Sequence, residues 1–269
     1  MKNKIGIYPN ISHKEYHDDA SAVSNSYLSK LAKCPANAWV KQEETAALLF
    51  GRATHSYILE GPDAFFKEFA VFPKYMDRRT KEGKQEYLGF QEANRGKDVI
   101  SEDDYDTITS MADSVIRHPF ACKLLSQGRS EQSVYWTDKE TGIYCKCRPD
   151  RIPDGDHGVI VDLKTTTDAR PKQFLSSVLS YGYDRQAGMY IEGLNEVSNV
   201  KVDAFIFIVV EKTAPYMVAT YTLSDTFLSY GKIKFHNLLE LEKQCRENDE
   251  WPSYQDAELQ ELQLPNWAA

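Results

Sequence analysis

Arg148-Pro149-Asp150, a turn over 153–158, and then Val159-Ile160-Val161-Asp162-Leu163-Lys164-Thr165 form the stretch that decides how this chain reads. The second segment is apolar and β-branched, and turn residues bound it, as in a strand. Side chains alternate faces along a strand, so Asp162 and Lys164 point one way while Val161 and Leu163 enter the opposite layer. Such neighbours imply burial, and an unpaired buried charge is costly. Asp150 ends the preceding hairpin strand and meets Asp162 if the two strands are neighbours. Two carboxylates beside a lysine suit a hard divalent cation, which binds oxygen donors and often uses only one or two carboxylates plus substrate phosphate. Lys164 could orient an attacking water, take its proton if its pKa is depressed, or stabilise negative charge.

Outward from this centre, 132–137 alternates as a strand, 138–142 is a turn, and 143–148 returns as its hairpin partner. A long helix is expected over 171–195, opened by Pro171 where a missing donor costs least. Leu179, Tyr183, Gln186 and Tyr190 would then form one helical stripe. The run Ala204 to Val210 reads as a central strand covered on both faces. Residues 216–223 alternate and can pair with it, and Ser224-Asp225 caps a final helix to about Glu247. Upstream, Ser24 or Ser26 caps a short helix closed by Pro35. Residues 45–60 form a helix ended by Gly61-Pro62, with Gly51 and His55 one turn apart, and glycine there implies close packing or close approach of a ligand. Ser101 to Asp104 opens a helix toward His118-Pro119. The expected fold is α/β (α+β), a mixed central β-sheet flanked by helices, in a single domain over 1–269. Trp251 and Trp267 in the loop-like tail should dock somewhere.

The chain has 269 residues, 42% hydrophobic and 27% charged, which is ordinary globular composition. The longest apolar run is far below the roughly 18 residues of a membrane span, and the N-terminus lacks a secretory signal, so a cytoplasmic location is expected. Five cysteines without a CxxC pair signal neither a disulfide framework nor structural zinc. A net charge of −8 and a pI near 5.4 argue against nucleic acid only on average, because net charge says little about one groove. Between 74 and 84 five basic residues face two acidic ones. That run is a solvated face, or else Arg78 and Arg79 with Tyr75 make phosphate contacts and stack on bases.

Arg148-Pro149-Asp150 with Asp162-Leu163-Lys164 resembles the PD-(D/E)XK nuclease superfamily. Gly51-Arg-Ala-Thr-His55 is similar to the GxxxH element of its RecB-like branch, and Gln186-Ala-Gly-Met-Tyr190 to the QxxxY helix of that branch. The whole chain, including Cys145-Lys-Cys-Arg-Pro-Asp150, resembles the RecE (exonuclease VIII) nuclease domains. The resemblance implies Asp150, Asp162 and His55 as metal ligands, Lys164 as the catalytic lysine, and Gln186 and Tyr190 as active-site or DNA-contacting residues. Glu60, about 140° around the helix from His55, is left out of the metal shell. Ser24, Ser26, Arg78, Arg79 and Tyr183 are DNA-binding candidates. The four-cysteine iron–sulfur arrangement of some RecB-like nucleases is absent, so no cluster is expected.

The function so implied is a Mg2+-dependent exonuclease, with Mn2+ as a substitute, that degrades linear duplex DNA 5′-to-3′ and leaves 3′ tails for recombination. The resemblance also implies a RecT-like single-strand annealing partner and a ring-shaped homotetramer. A structure-specific endonuclease on the same fold, or an inactive DNA-binding or assembly protein, are the rival readings.

Overall fold

A computed structural model describes residues 4–41, 43–75, 79–154, 158–254, 259 and 261–264. The chain runs through β1 (Gly6–Tyr8), α1 (His13–Asp18), α2 (Asn25–Lys33), a 3-10 turn (Pro35–Asn37), α3 (Ala46–His55), a π-helical turn (Ser56–Glu60), α4 (Pro62–Glu68), β2 (Phe69–Phe72), α5 (Lys81–Ala93) and β3 (Asp98–Ser101). It continues with α6 (Glu102–Arg117), α7 (Pro119–Ser126), β4 (Arg129–Ser130), β5 (Ser133–Thr137), β6 (Tyr144–Cys147), β7 (Arg151–Ile152) and β8 (Gly158–Thr166). The last elements are α8 (Pro171–Tyr181), α9 (Tyr183–Val197), β9 (Val202–Glu211), β10 (Val218–Thr222) and α10 (Asp225–Asn248). Helix starts follow the capping residues: Ser24, Thr45, Ser101 and Ser224 each accept from the backbone N–H three residues on. Each such cap satisfies an orphan donor and stabilises by about 1 kcal/mol.

The main sheet has the order β10-β9-β8-β7-β4, with β8 and β9 parallel and the other pairs antiparallel. It is the expected mixed sheet, and it has helices on both faces. Ile160, Phe205, Phe207 and Val209 pack with Ala187, Met189 and Leu194 of α9 and Phe235 and Leu239 of α10. Val161, Leu163, Ile208 and Val210 pack on the other side with Met111 and Val115 of α6, Ala121 of α7 and Leu59. The apolar continuity of β8 and β9 follows from this double covering. No helix among the described residues is long and apolar enough to cross a membrane.

Two expectations are corrected. The helix expected over 171–195 is two helices, because Gly182 takes a left-handed conformation (φ 69°, ψ 37°) between α8 and α9. Leu179 therefore falls on α8, 49% exposed, and leaves the stripe that Tyr183, Gln186 and Tyr190 share on α9. The hairpin β5–β6 also belongs to a separate three-stranded sheet with β1. Asp150 reaches the main sheet through β7, whose Arg151 pairs with Val161. Pro149, which has no N–H to donate, lies in the crossover between the sheets. A parallel pair, β2 with β3, was not expected from the sequence.

Helix α9 is pressed closely against α10. A Cβ at Gly188 would lie 2.7 Å from the Lys232 nitrogen, and one at Gly231 would lie 2.0 Å from the Asp184 carbonyl oxygen. Only glycine permits this approach of α9 and α10, and the closeness fixes where Gln186 points. Of the tail tryptophans, Trp251 docks edge-on to Trp39 with ring centroids 5.1 Å apart. Trp267 and Arg78 lie outside the described residues.

Candidate active site

The alternation of β8 turns Asp162 and Lys164 toward α9, where Gln186 meets both. Gln186 Nε2 donates to Asp162 Oδ1 at 2.6 Å, and Lys164 Nζ donates to Gln186 Oε1 at 3.1 Å. The Lys164 ammonium also lies 2.6 Å from Asp162 Oδ2, which has no other partner among the described residues. The three side chains close a triangle, with Tyr183 beside it: its ring centroid is 4.4 Å from Lys164 Nζ.

Asp150 is joined to the same strand through its side chain, since Oδ2 accepts from the Leu163 N–H at 2.8 Å. The same oxygen lies 3.3 Å from His55 Nδ1. His55 is the last residue of α3, and the π-helical turn follows it directly. Single π turns of this kind recur at functional sites. His55 and Asp150 stand with a carboxylate that the sequence reading passed over, Glu131, and the ligand atoms of all three are within 4.8 Å of one another. Glu131 follows β4 with φ 53°, its N–H donates to the Asp150 carbonyl at 3.1 Å, and its Oε2 accepts from Arg148 Nε at 2.7 Å.

Burial and crowding of like charges set the protonation of this cluster. Burial pushes both Asp150 and Asp162 up to about 6, against the pull of Lys164. Burial and the Asp150 charge raise Glu131 to about 8, with Arg148 opposing. Burial and Lys164 hold His55 down at about 4, so its imidazole is neutral and free to act as a ligand. For Lys164 burial alone would lower the pKa, but Asp162, Tyr183 and Asp150 together outweigh it and the net shift is upward. Hard oxygen donors plus a neutral imidazole fit a divalent metal ion.

These groups border an open cavity of about 660 Å³. His55, Glu131, Asp150, Lys164, Tyr183 and Tyr190 line it, and so do Gly51 and Glu60. Nothing lies within 4 Å of where a Gly51 Cβ would be, so of the two reasons expected for this glycine, close packing is not the one. Asp162, 1% exposed, sits behind the cavity wall. Opposite, α1 contributes His13 and His17, rings 4.2 Å apart. Burial, with neighbouring Arg52, Arg148 and Lys146 among the charges, lowers them to about 3 and about 4. Neither histidine nor Glu131 carries a local motif, so only the folded chain brings them here.

Of the DNA-binding candidates, Tyr183 lines the cavity, and Ser24, Ser26 and Arg79 do not. Ser24 caps α2 and contacts Ser26 Oγ at 3.0 Å. Arg79 is exposed, and Lys74 in the same basic run is paired with Asp103 (2.8 Å) and Asp106 (3.1 Å) at the acidic start of α6.

A Pro-Asp element joined to a strand carrying Asp-x-Lys, on a mixed sheet between helices, defines a PD-(D/E)XK-type nuclease domain. Residues 24–262 match the family described as PDDEXK-like domain of unknown function (DUF3799), and the chain belongs to that family. Among solved structures it is similar to a candidate exonuclease from Eubacterium rectale, with 18% identity and a TM-score of 0.62 over 90% of this chain and 88% of that one. That likeness concerns the fold. SSO0001 aligns over 74% of this chain and 87% of its own at 12% identity, with a TM-score of 0.31 that carries no weight. No curated protein matches the sequence.

Proposed function

We propose that the protein is a metal-dependent exodeoxyribonuclease of RecE type, which degrades linear duplex DNA 5′-to-3′ and leaves 3′ tails for recombination. The observation that carries the reading is that His55, Asp150 and Lys164 line one cavity, with Asp162 and Gln186 holding Lys164 from behind its wall. His55, Asp150 and Asp162 would hold the cation. Mg2+ bound there would polarise a phosphoryl oxygen and lower the pKa of its water.

The chain's own groups do the rest. Lys164 keeps its proton beside Asp162, so of the three roles open to it, charge stabilisation at the phosphoryl oxygens fits best. Gln186 holds the ammonium and Asp162 in fixed relation, and Tyr183 and Tyr190 on the cavity wall offer faces for a base or sugar. Ser24, Ser26 and Arg79 would contact DNA beyond the cavity, and Arg78 is a further DNA-contacting candidate from the sequence. A homotetrameric ring would reconcile the acidic chain with DNA by placing acidic surface outside and the cavities inside. A RecT-like annealing protein in the cytoplasm would take up the single-stranded product.

The test is incubation with Mg2+ and end-labelled linear duplex beside covalently closed circles, with EDTA and Lys164→Ala as controls. Loss of linear duplex alone, from its 5′ ends, is the expected result. Nicked circles would favour the structure-specific endonuclease, and inert wild-type protein across metals would leave the DNA-binding or assembly reading.

A further inference from the structure

We infer that Glu131 is a metal ligand of the cavity-facing site, and that it exchanges its partner Arg148 for the cation, releasing the guanidinium toward substrate phosphate. The inference rests on the reading of the cavity as a metal site and extends it to a residue and an exchange that the Asp/Asp/Lys pattern does not contain.

Access is the first argument. A cation entering from solvent meets the groups that line the cavity, and among these His55, Glu131 and Asp150 are the ones whose ligand atoms cluster. Asp162, which would complete the shell from behind, holds Lys164 at 2.6 Å and Gln186 at 2.6 Å, so Glu131 is the second carboxylate on the entry side beside Asp150. The His55, Glu131 and Asp150 ligand atoms already lie within 4.8 Å of one another, a spacing that a single cation can span with small side-chain adjustments.

Backbone placement is the second. The Glu131 N–H is tied to the Asp150 carbonyl, so the two carboxylates are positioned by one hydrogen bond between their own residues. Ser130 and Arg151 pair alongside, so β4 and β7 hold both residues at the same edge of the sheet.

Charge balance is the third. Among the described residues Glu131 has one compensating cation, Arg148, whose Nε is 2.7 Å away, and both side chains are largely buried (19% and 11% exposed). The guanidinium is incompletely satisfied there: Arg148 Nη1 is buried and unpartnered among the described residues. Arg148 also borders the cavity. When a divalent cation neutralises Glu131, the guanidinium loses its claim on that carboxylate and becomes a donor for a phosphate oxygen, which Arg binds in bidentate geometry. Cation and substrate sites would then be filled in order.

The test uses the full chain and Mn2+ alone, with binding followed by electron paramagnetic resonance and calorimetry. Glu131→Gln is expected to weaken Mn2+ binding at least about tenfold, as outer partners of metal ligands already do when lost. Arg148→Met, which removes the competing cation, is expected to bind Mn2+ as tightly as wild type or tighter. Opposite responses of the two variants support the exchange. Equal weakening would mean that Glu131 serves only to hold Arg148, and unchanged affinity in Glu131→Gln, or no Mn2+ binding by wild type, would overturn the inference. Circular dichroism in EDTA checks folding, and Glu131→Asp, with a shorter reach, should fall between wild type and Gln if the Gln variant is unstable. Because the readout is metal affinity, these outcomes stand whether or not the protein cuts DNA.

Discussion

Replacing Asp150 by Asn should stabilise the protein above pH 6 in EDTA while removing its response to Mn2+. Burial raises the Asp150 carboxyl from 3.8 to about 6. A shift of about two units corresponds to roughly 3 kcal/mol, at about 1.4 kcal/mol per unit. The folded protein holds this proton up to about pH 6, whereas the unfolded chain releases it near pH 3.8. Folded protein thus binds more protons within that window, and wild-type stability falls as pH rises through it. Asn never ionises, yet its amide oxygen can still accept the Leu163 N–H that Asp150 now accepts at 2.8 Å. The stability difference, variant minus wild type, should therefore be near zero below pH 3.8, open between 3.8 and 6, and level off above. The ceiling of roughly 3 kcal/mol corresponds to several degrees, at about 2–4 °C per kcal/mol for a chain of this order of size. Urea and thermal unfolding from pH 4 to 8 would measure it. With Mn2+ present wild type should gain stability and the variant should not. A variant less stable than wild type at pH 8 in EDTA, or a difference that ignores pH, would refute burial as the cause of the Asp150 shift.

Lys164→Met strands Asp162, whose Oδ2 lies 2.6 Å from the lost ammonium. It should cost about 3–5 kcal/mol, and Asp162→Asn/Lys164→Met should regain most of it in urea unfolding, while additive losses would disprove the pairing. Gln186→Leu removes the donor to Asp162 and the acceptor from Lys164 together. A loss of about 1–3 kcal/mol in chemical denaturation is expected, with cleavage impaired as well. Gly231→Ala places a methyl 2.0 Å from the Asp184 carbonyl and must push α10 off α9. It should destabilise by at least about 1–3 kcal/mol, and a wild-type melting temperature would show that the helices are not in such close contact.

Much of the site was legible in the chain because its parts are local. Strand alternation placed Asp162 and Lys164 on one face, apolar character on both faces marked β9 as central, and side-chain acceptors at Ser101 and Ser224, with Ser24 or Ser26 upstream, marked helix starts. Helical spacing kept Gln186 and Tyr190 together, and it failed for Leu179 because one left-handed glycine ends a helix that periodicity alone would continue.

What tertiary structure decided are the contacts between residues distant in sequence. The route of Asp150 into the main sheet depends on β7, two residues too short to carry a pattern. Glu131 sits in no motif, and the chain brings it to His55 and Asp150 through a positive-φ turn and one backbone hydrogen bond. His13 and His17 reach the cavity only because α1 folds across it. The Asp162–Lys164 pair was a property of strand periodicity, which the sequence by itself determines. Which carboxylates face solvent, and which are enclosed by Lys164 and Gln186, depends on how α9 packs against β8, and that packing exists only in three dimensions.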